Sequence, residues 1–200
     1  MRHAVAADLH RCVQLLVSAY AEDPFYRWLF PAEDTRPEAL AAWFTRVSTN
    51  HLKFGHYYRS EDFSAVATWV PPDVPLNNAS DWEEGRRLVA SWTDDEHATR
   101  VYDAIAARGR SRPGGPSWQL IYVAIADEAR GAGLGPSAVA PMLHMFDEQG
   151  FAVFYNATNT DNIPLLERVG FERLDPLPIL DGPTFQPMYR KPRGGVGSAE

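Results

Sequence analysis

Cysteine is nearly absent: Cys12 is the single one in 200 residues. That excludes an internal disulfide and a cysteine-clustered zinc site, and it suits a reducing, cytoplasmic compartment. No apolar run approaches the roughly 18 residues that span a bilayer. The start, Met1 to Val5, has no long apolar stretch, so neither a membrane partner nor a secretory signal is expected. No pair of histidines has the His-Glu-x-x-His spacing, so no metal is expected. No Gly-x-Ser-x-Gly elbow supports a serine hydrolase, and no repeat or heptad run is found. Positive charge is in deficit, with 19 Lys and Arg against 26 Asp and Glu and a net charge of −7. Such a surface repels phosphate overall, which makes nucleic acid a poor partner, whereas a cationic amine is compatible with it. What is present is ordinary for a globular chain. Hydrophobic residues make 45% and charged ones 22%, enough to bury a core within one domain.

The helical spacing of Leu9, Cys12, Val13, Leu16 and Tyr20 predicts a core-facing helix to about Ala21, capped by Asp8, with Cys12 a buried hydrophobe. An aromatic cluster follows, with Phe25, Tyr26, Trp28 and Phe30 closed by Pro31. A second helix is expected from Pro37 to Phe54, then strands His56–Arg59 and Ser64–Val70. Residues 77–108 read as two helical segments, and 108–116 as a loop suited to a mobile flap. Trp118 to Ile125 is a buried strand, Pro136 to Gln149 a helix, and Phe151 to Asn156 the next strand. A short helix from Asn162 to Val169 stops at Gly170, before strands at Phe171–Leu174 and Phe185–Arg190. The alternation implies an α+β fold, a mixed sheet with helices packed on it. We expect one domain over residues 1–192 and a disordered tail over 193–200.

Arg130-Gly131-Ala132-Gly133-Leu134-Gly135 lies between a buried strand and a helix start. Glycines let backbone N–H groups approach an anion there, at the positive end of a helix. A P-loop is excluded because no Gly-Lys-Ser/Thr follows. The dinucleotide fingerprint needs G-x-G-x-x-G and an acid after the next strand, and neither is present. Two alternatives stay open on the loop alone: the pyrophosphate of coenzyme A, or a tight turn without a ligand.

Val123-x-Ile125 followed by Arg130 to Gly135 resembles the acyl-CoA signature of the GCN5-related N-acetyltransferases. Asn159 to Phe171, an Asn and a short helix ending in Gly170-Phe171, is similar to that family's second signature. The puromycin N-acetyltransferase branch is the nearest likeness, weakest over 72–115. The resemblance implies a splayed mixed sheet with a helical insertion at about 77–108 before the fourth strand. It implies acetyl-CoA, or another acyl-CoA, as co-substrate and no metal. Backbone groups of Val123 and Ile125 would pair with pantetheine, with the Val123 N–H also polarising the thioester carbonyl. Backbone N–H groups from Arg130 through Ala132, Gly133, Leu134 and Gly135 would take the pyrophosphate, where Pro136 and Ser137 open the helix. Asn159 would bond the coenzyme.

Two positions depart from the family pattern. The tyrosine that protonates the departing sulfur is replaced by Leu166, and a glutamate of the fifth strand by Asn156. Leucine has no proton to give, and an amide is no base near neutral pH. A thiol with pKa near 8.5 can leave unaided, and an amine near pKa 8 is partly neutral at pH 7. We therefore expect direct attack by a low-pKa amine, or a base supplied elsewhere. Tyr122 and Tyr155 are the candidate proton carriers, while His51 and His56 lie towards the acceptor side. The acceptor is expected to be a small-molecule amine held by Phe25, Tyr26, Trp28, Trp69 and Trp118, with Glu22 or Asp23 drawing its charge, on a monomer or homodimer. The alternative is a coenzyme-A-binding protein with altered chemistry, such as hydrolysis or sensing.

Overall fold

A computed structural model describes residues 1–53, 56–72, 74–75, 78–129 and 134–194, with the backbone alone at 134 and 135. Its sheet runs in the order β1-β2-β3-β4-β5-β8-β6, with β7 paired to β8. The strands are β1 Arg2–His3, β2 Tyr57–Arg59, β3 Ala65–Val70, β4 Ser117–Ile125, β5 Ala152–Ala157, β6 Glu172–Arg173, β7 Leu177–Pro178 and β8 Thr184–Arg190. Every pairing is antiparallel except β4 with β5, which the helix α6 Leu134–Glu148 joins as a crossover.

Apolar periodicity placed α1 Leu9–Tyr20 and α3 Arg36–Leu52 on one face of the sheet. The Asp8 cap is a correction: its side chain caps nothing on α1. It accepts from Val5 N–H at 3.0 Å and from Arg59 Nε and Nη2 at 3.1 and 3.2 Å. A charge-assisted bidentate pair is the stronger partner. The aromatic cluster contains a helix of its own, α2 Pro24–Leu29. Asp23 caps it by accepting from Phe25 N–H at 2.9 Å, and Pro24 suits the first turn.

The expected helical pair is α4 Ala79–Trp92 and α5 Asp95–Arg110. Asn78 and Asp81 form a capping box on α4, and Asp94 caps α5. Because α5 continues to Arg110, Arg108 is helical instead of the start of a loop. The helix α6 passes through Pro141, and α7 Ile163–Arg168 follows β5. Both end the same way. Gly150 and Gly170 take φ of +72° and +97°, and the next residue's N–H bonds back to Phe146 O at 2.8 Å and Leu166 O at 3.0 Å.

The apolar interior falls into two parts across the sheet. One lies beneath α1, α2 and α3, with Leu16, Phe25, Leu40 and Phe44 fully buried. The other lies beneath α6 and α7, with Phe146 stacked on Trp118 at a centroid distance of 4.5 Å and Leu166 only 2% exposed. No described helix is long and apolar enough to cross a membrane.

Candidate functional site

The register between β3 and β4 slips once. Thr68 faces Tyr122, but Trp69 faces Leu120, so Ile121 is an extra residue on β4. This bulge reverses the alternation of the strand. Before it, Trp118 and Leu120 pack towards α6; after it, Tyr122 and Ala124 pack towards α1 and α3. Just there β4 and β5 separate. Their ladder ends at Gln119 with Phe154, while β4 continues to Ile125 and β5 to Ala157 without a further pair. Ala126 N–H bonds Ser64 O at 2.8 Å, which commits the even-numbered residues to β3. Val123 and Ile125 therefore aim their N–H and C=O groups away from β3, into the gap.

One side chain already uses those groups. The Tyr20 hydroxyl donates to Val123 O at 3.1 Å and accepts from Val123 N–H at 3.4 Å. Tyr155 lies on the opposite lip and is coupled electrostatically to Tyr20. Burial pushes both phenols far above their ordinary pKa, so both stay protonated. Asn156, also on the gap, donates from Nδ2 to Arg108 O at 3.5 Å. Its buried Oδ1 has no partner among the described residues. A gap edged by outward-facing backbone groups and an orphaned amide oxygen fits a ligand with N–H and C=O groups of its own, such as a pantetheine arm.

A hollow opens beside the gap, against Ile121 and Tyr122 of the bulge. Phe25 and Tyr26 of α2, Trp43 of α3 and Tyr102 of α5 give it an aromatic wall. His51 of α3 lies in this wall at 6% exposure, with Nδ1 unpartnered among the described residues. Burial, then the charge of Arg108, lowers its pKa to about 4, so the imidazole is neutral at pH 7. Arg46 and Arg108 are the charged residues of the lining, and no carboxylate lines it among the described residues. Arg108 edges both the hollow and the gap.

The expected residues are distributed as follows. Phe25, Tyr26 and Tyr122 line the hollow, whereas Tyr155 lines the gap. Trp28 packs on Phe25 and His97 outside the hollow. Trp69 and Trp118 lie across the sheet against Phe146, because the bulge sends that half of β4 to the α6 face; they do not join the other three aromatics. His56 sits edge-on to Trp118 on that side, away from His51. Asn159 accepts from Asp161 N–H at 2.9 Å, capping a short turn. Pro136 and Ser137 stand in the first turn of α6. Arg130, Gly131, Ala132 and Gly133 lie outside the described residues, as do the side-chain positions of Leu134 and Gly135. Among the described residues no group of three or more His, Cys, Asp or Glu could hold a metal ion.

Two site residues were not singled out from the sequence. Tyr20 belongs to the apolar stripe of α1 and carries no separate signal. Arg108 did carry one, since it continues the stripe Val101, Ile105 at helical spacing and so points inward with them.

No family model matches the chain. An uncharacterised N-acetyltransferase of Schizosaccharomyces pombe is 22% identical over 179 residues, covering 83% of this chain and 71% of its own length. The solved acetyltransferase of Corynebacterium glutamicum related to histone acetyltransferase HPA2 superposes with a TM-score of 0.69 at 29% identity, over 99% of this chain and 97% of that one. Arylalkylamine N-acetyltransferase 2 of Aedes aegypti shares the fold, with a TM-score of 0.63 at 10% identity over 96% and 98% of the two chains. With the parted strands, the crossover helix and these relatives in view, the chain has the fold of the GCN5-related N-acetyltransferases and is similar in sequence to acetyltransferases, enzymes that draw their acyl group from acetyl-CoA.

Proposed function

We propose that the protein transfers an acyl group, acetyl by default, from acyl-CoA to a small-molecule amine within a ternary complex. The observation that carries this reading is the adjacency of gap and hollow. A thioester lying along β4 and an amine in the aromatic hollow would meet at Ile121 and Arg108, which edge both. Arylalkylamine acetylation by a protein of the same fold, and the sequence likeness to the puromycin-modifying branch, point to a small acceptor.

Acyl-CoA supplies the activated acyl group. The chain's own residues position it and manage charge. Val123 N–H would polarise the thioester carbonyl once the Tyr20 hydroxyl turns aside, and Ile125 would extend the same edge. The backbone from Arg130 to Gly135, with Pro136 and Ser137 at the helix start and Asn159 beyond β5, would hold the rest of the coenzyme. Leu166 is a buried residue of α7 and donates nothing, so the sulfur would leave as thiolate. Arg46 and Arg108 disfavour a nearby ammonium and so raise the free-amine fraction of the acceptor. His51, whose pKa burial lowers to about 4, is too weak a base for the proton released on attack, which would pass to the departing thiolate, a base of ordinary thiol pKa.

The test is free-thiol release from acetyl-CoA with and without an amine panel, beside thermal stabilisation by acetyl-CoA alone. Amine-dependent release is expected, and release without any amine would make the protein a thioesterase instead. Gly133→Val should abolish the stabilisation; full retention would remove the glycine loop from the coenzyme site.

A further inference from the structure

The hollow carries positive charge, yet the acceptor of an N-acyltransferase is an amine. Two carboxylates on flanking elements could have balanced that charge, and both are already engaged. Asp23 accepts from Phe25 N–H and, at 2.6 Å, from Thr158 Oγ1. Asp81 accepts from Asn78 N–H at 3.0 Å and Asn50 Nδ2 at 3.3 Å. Arg46 donates to the Asp81 carbonyl oxygen and is held towards α4. Arg108 is different. Among the described residues it has no ion-pair partner, and its guanidinium carbon lies 5.9 Å from the centre of the Phe185 ring. A guanidinium left without an anion at the junction of two substrate hollows is a site for one, because its fork matches a carboxylate in two hydrogen bonds.

We propose that the acceptor carries a carboxylate held by Arg108, on an apolar or aromatic skeleton that fills the wall of Phe25, Trp43 and Tyr122: an α-amino acid or a close analogue. This rests on the acyl-transfer reading above and narrows it. An arylalkylamine without an acid group would leave Arg108 unmatched and place its own ammonium among like charges. The amino acid brings one anion for the guanidinium, and its amine remains free to face the thioester. The reaction balances simply: the amine nitrogen forms the amide bond, the thioester C–S bond breaks with its electron pair on sulfur, and the proton lost by the nitrogen passes to that thiolate to give free CoA thiol.

Matched acceptors decide it. With wild-type protein and acetyl-CoA, phenylalanine, phenylalaninamide and phenethylamine are compared by thiol release, and leucine with leucinamide likewise. The amide has the less basic amine, so preference for the acid cannot come from a larger free-amine fraction. The acid is expected to exceed the amide in kcat/KM by about tenfold or more, as for a charge-assisted pair. Arg108→Gln should bring that ratio towards one mainly by lowering the rate with the acid. An amide or phenethylamine that matches or exceeds the acid on wild-type protein overturns the proposal. Calorimetric binding of N-acetylphenylalanine and N-acetylphenylalaninamide in the presence of CoA separates the two readings. Tighter binding of the acid without thiol release leaves the carboxylate site standing and removes acyl transfer. Thiol release with equal acid and amide does the reverse, and absence of both removes both.

Discussion

Tyr20→Phe deletes one oxygen that serves both polar groups of Val123, at 3.1 and 3.4 Å. Tyr20 is 5% exposed, so water does not readily replace that oxygen. A net hydrogen bond contributes roughly 1 kcal/mol, and a buried group left unpaired costs about 1–3 kcal/mol. The variant without coenzyme should therefore lose about 1–2 kcal/mol, which lowers Tm by roughly 2–8 °C at this chain length. Acetyl-CoA changes the sign of the effect. If the coenzyme takes the Val123 groups, wild-type protein must first break the Tyr20 contacts, whereas the variant need not. Its Kd for acetyl-CoA should be about fivefold lower, corresponding to about 1 kcal/mol. Scanning fluorimetry gives the stability and isothermal calorimetry the affinity, both on the folded protein. A Kd at or above the wild-type value, together with the lowered Tm, would refute the assignment of Val123 to the coenzyme. It would make Tyr20 a structural lock across the gap.

Other outcomes follow from the buried charges and the thiol. Arg190, with a side chain 3% exposed, grips Asp147 through Nη1 at 2.7 Å and Nη2 at 2.6 Å. Arg190→Met should cost about 3–5 kcal/mol in urea unfolding, and the double variant Arg190→Met with Asp147→Leu should recover much of it. A single variant within 1 kcal/mol of wild type would contradict a paired, dehydrated bridge. His51 has a folded pKa of about 4 against 6.5 unfolded, so the unfolded chain binds the extra proton between those values. Its contribution is complete above pH 6.5 and is lost as pH falls towards 4, by about 3 kcal/mol over that window. His51→Gln should flatten that part of the stability–pH curve, and an unchanged slope would place the histidine in solvent. Burial raises the Cys12 thiol to about 11, so a disulfide reagent should find no reactive thiol in native protein and one after denaturation. Rapid native labelling would show that α1 opens.

Much of this protein is local, and the sequence by itself determined it. The stripe of Leu9, Cys12, Leu16 and Tyr20 set the buried face of α1, because a 3.6-residue period fixes which side chains share a side. Gly150 and Gly170 set two helix ends, since the left-handed backbone there strains any side chain. The glycine loop and the Asn-to-Gly-Phe segment carried the family resemblance through residue types at fixed spacing. Tertiary structure alone decided the rest. An alternation of period two states that Trp118 and Tyr122 lie on one side of a strand, but one extra residue between them, Ile121, reverses it. That residue is visible only against the register of β3, which is set by pairing some fifty positions away in the chain. That pairing sent Trp69 and Trp118 to the α6 core, the pairing of β1 with β2 brought Asp8 to Arg59, and the β4–β5 ladder stopped at Gln119. Long-range hydrogen bonding and packing choose among such arrangements, and a local pattern is consistent with several of them.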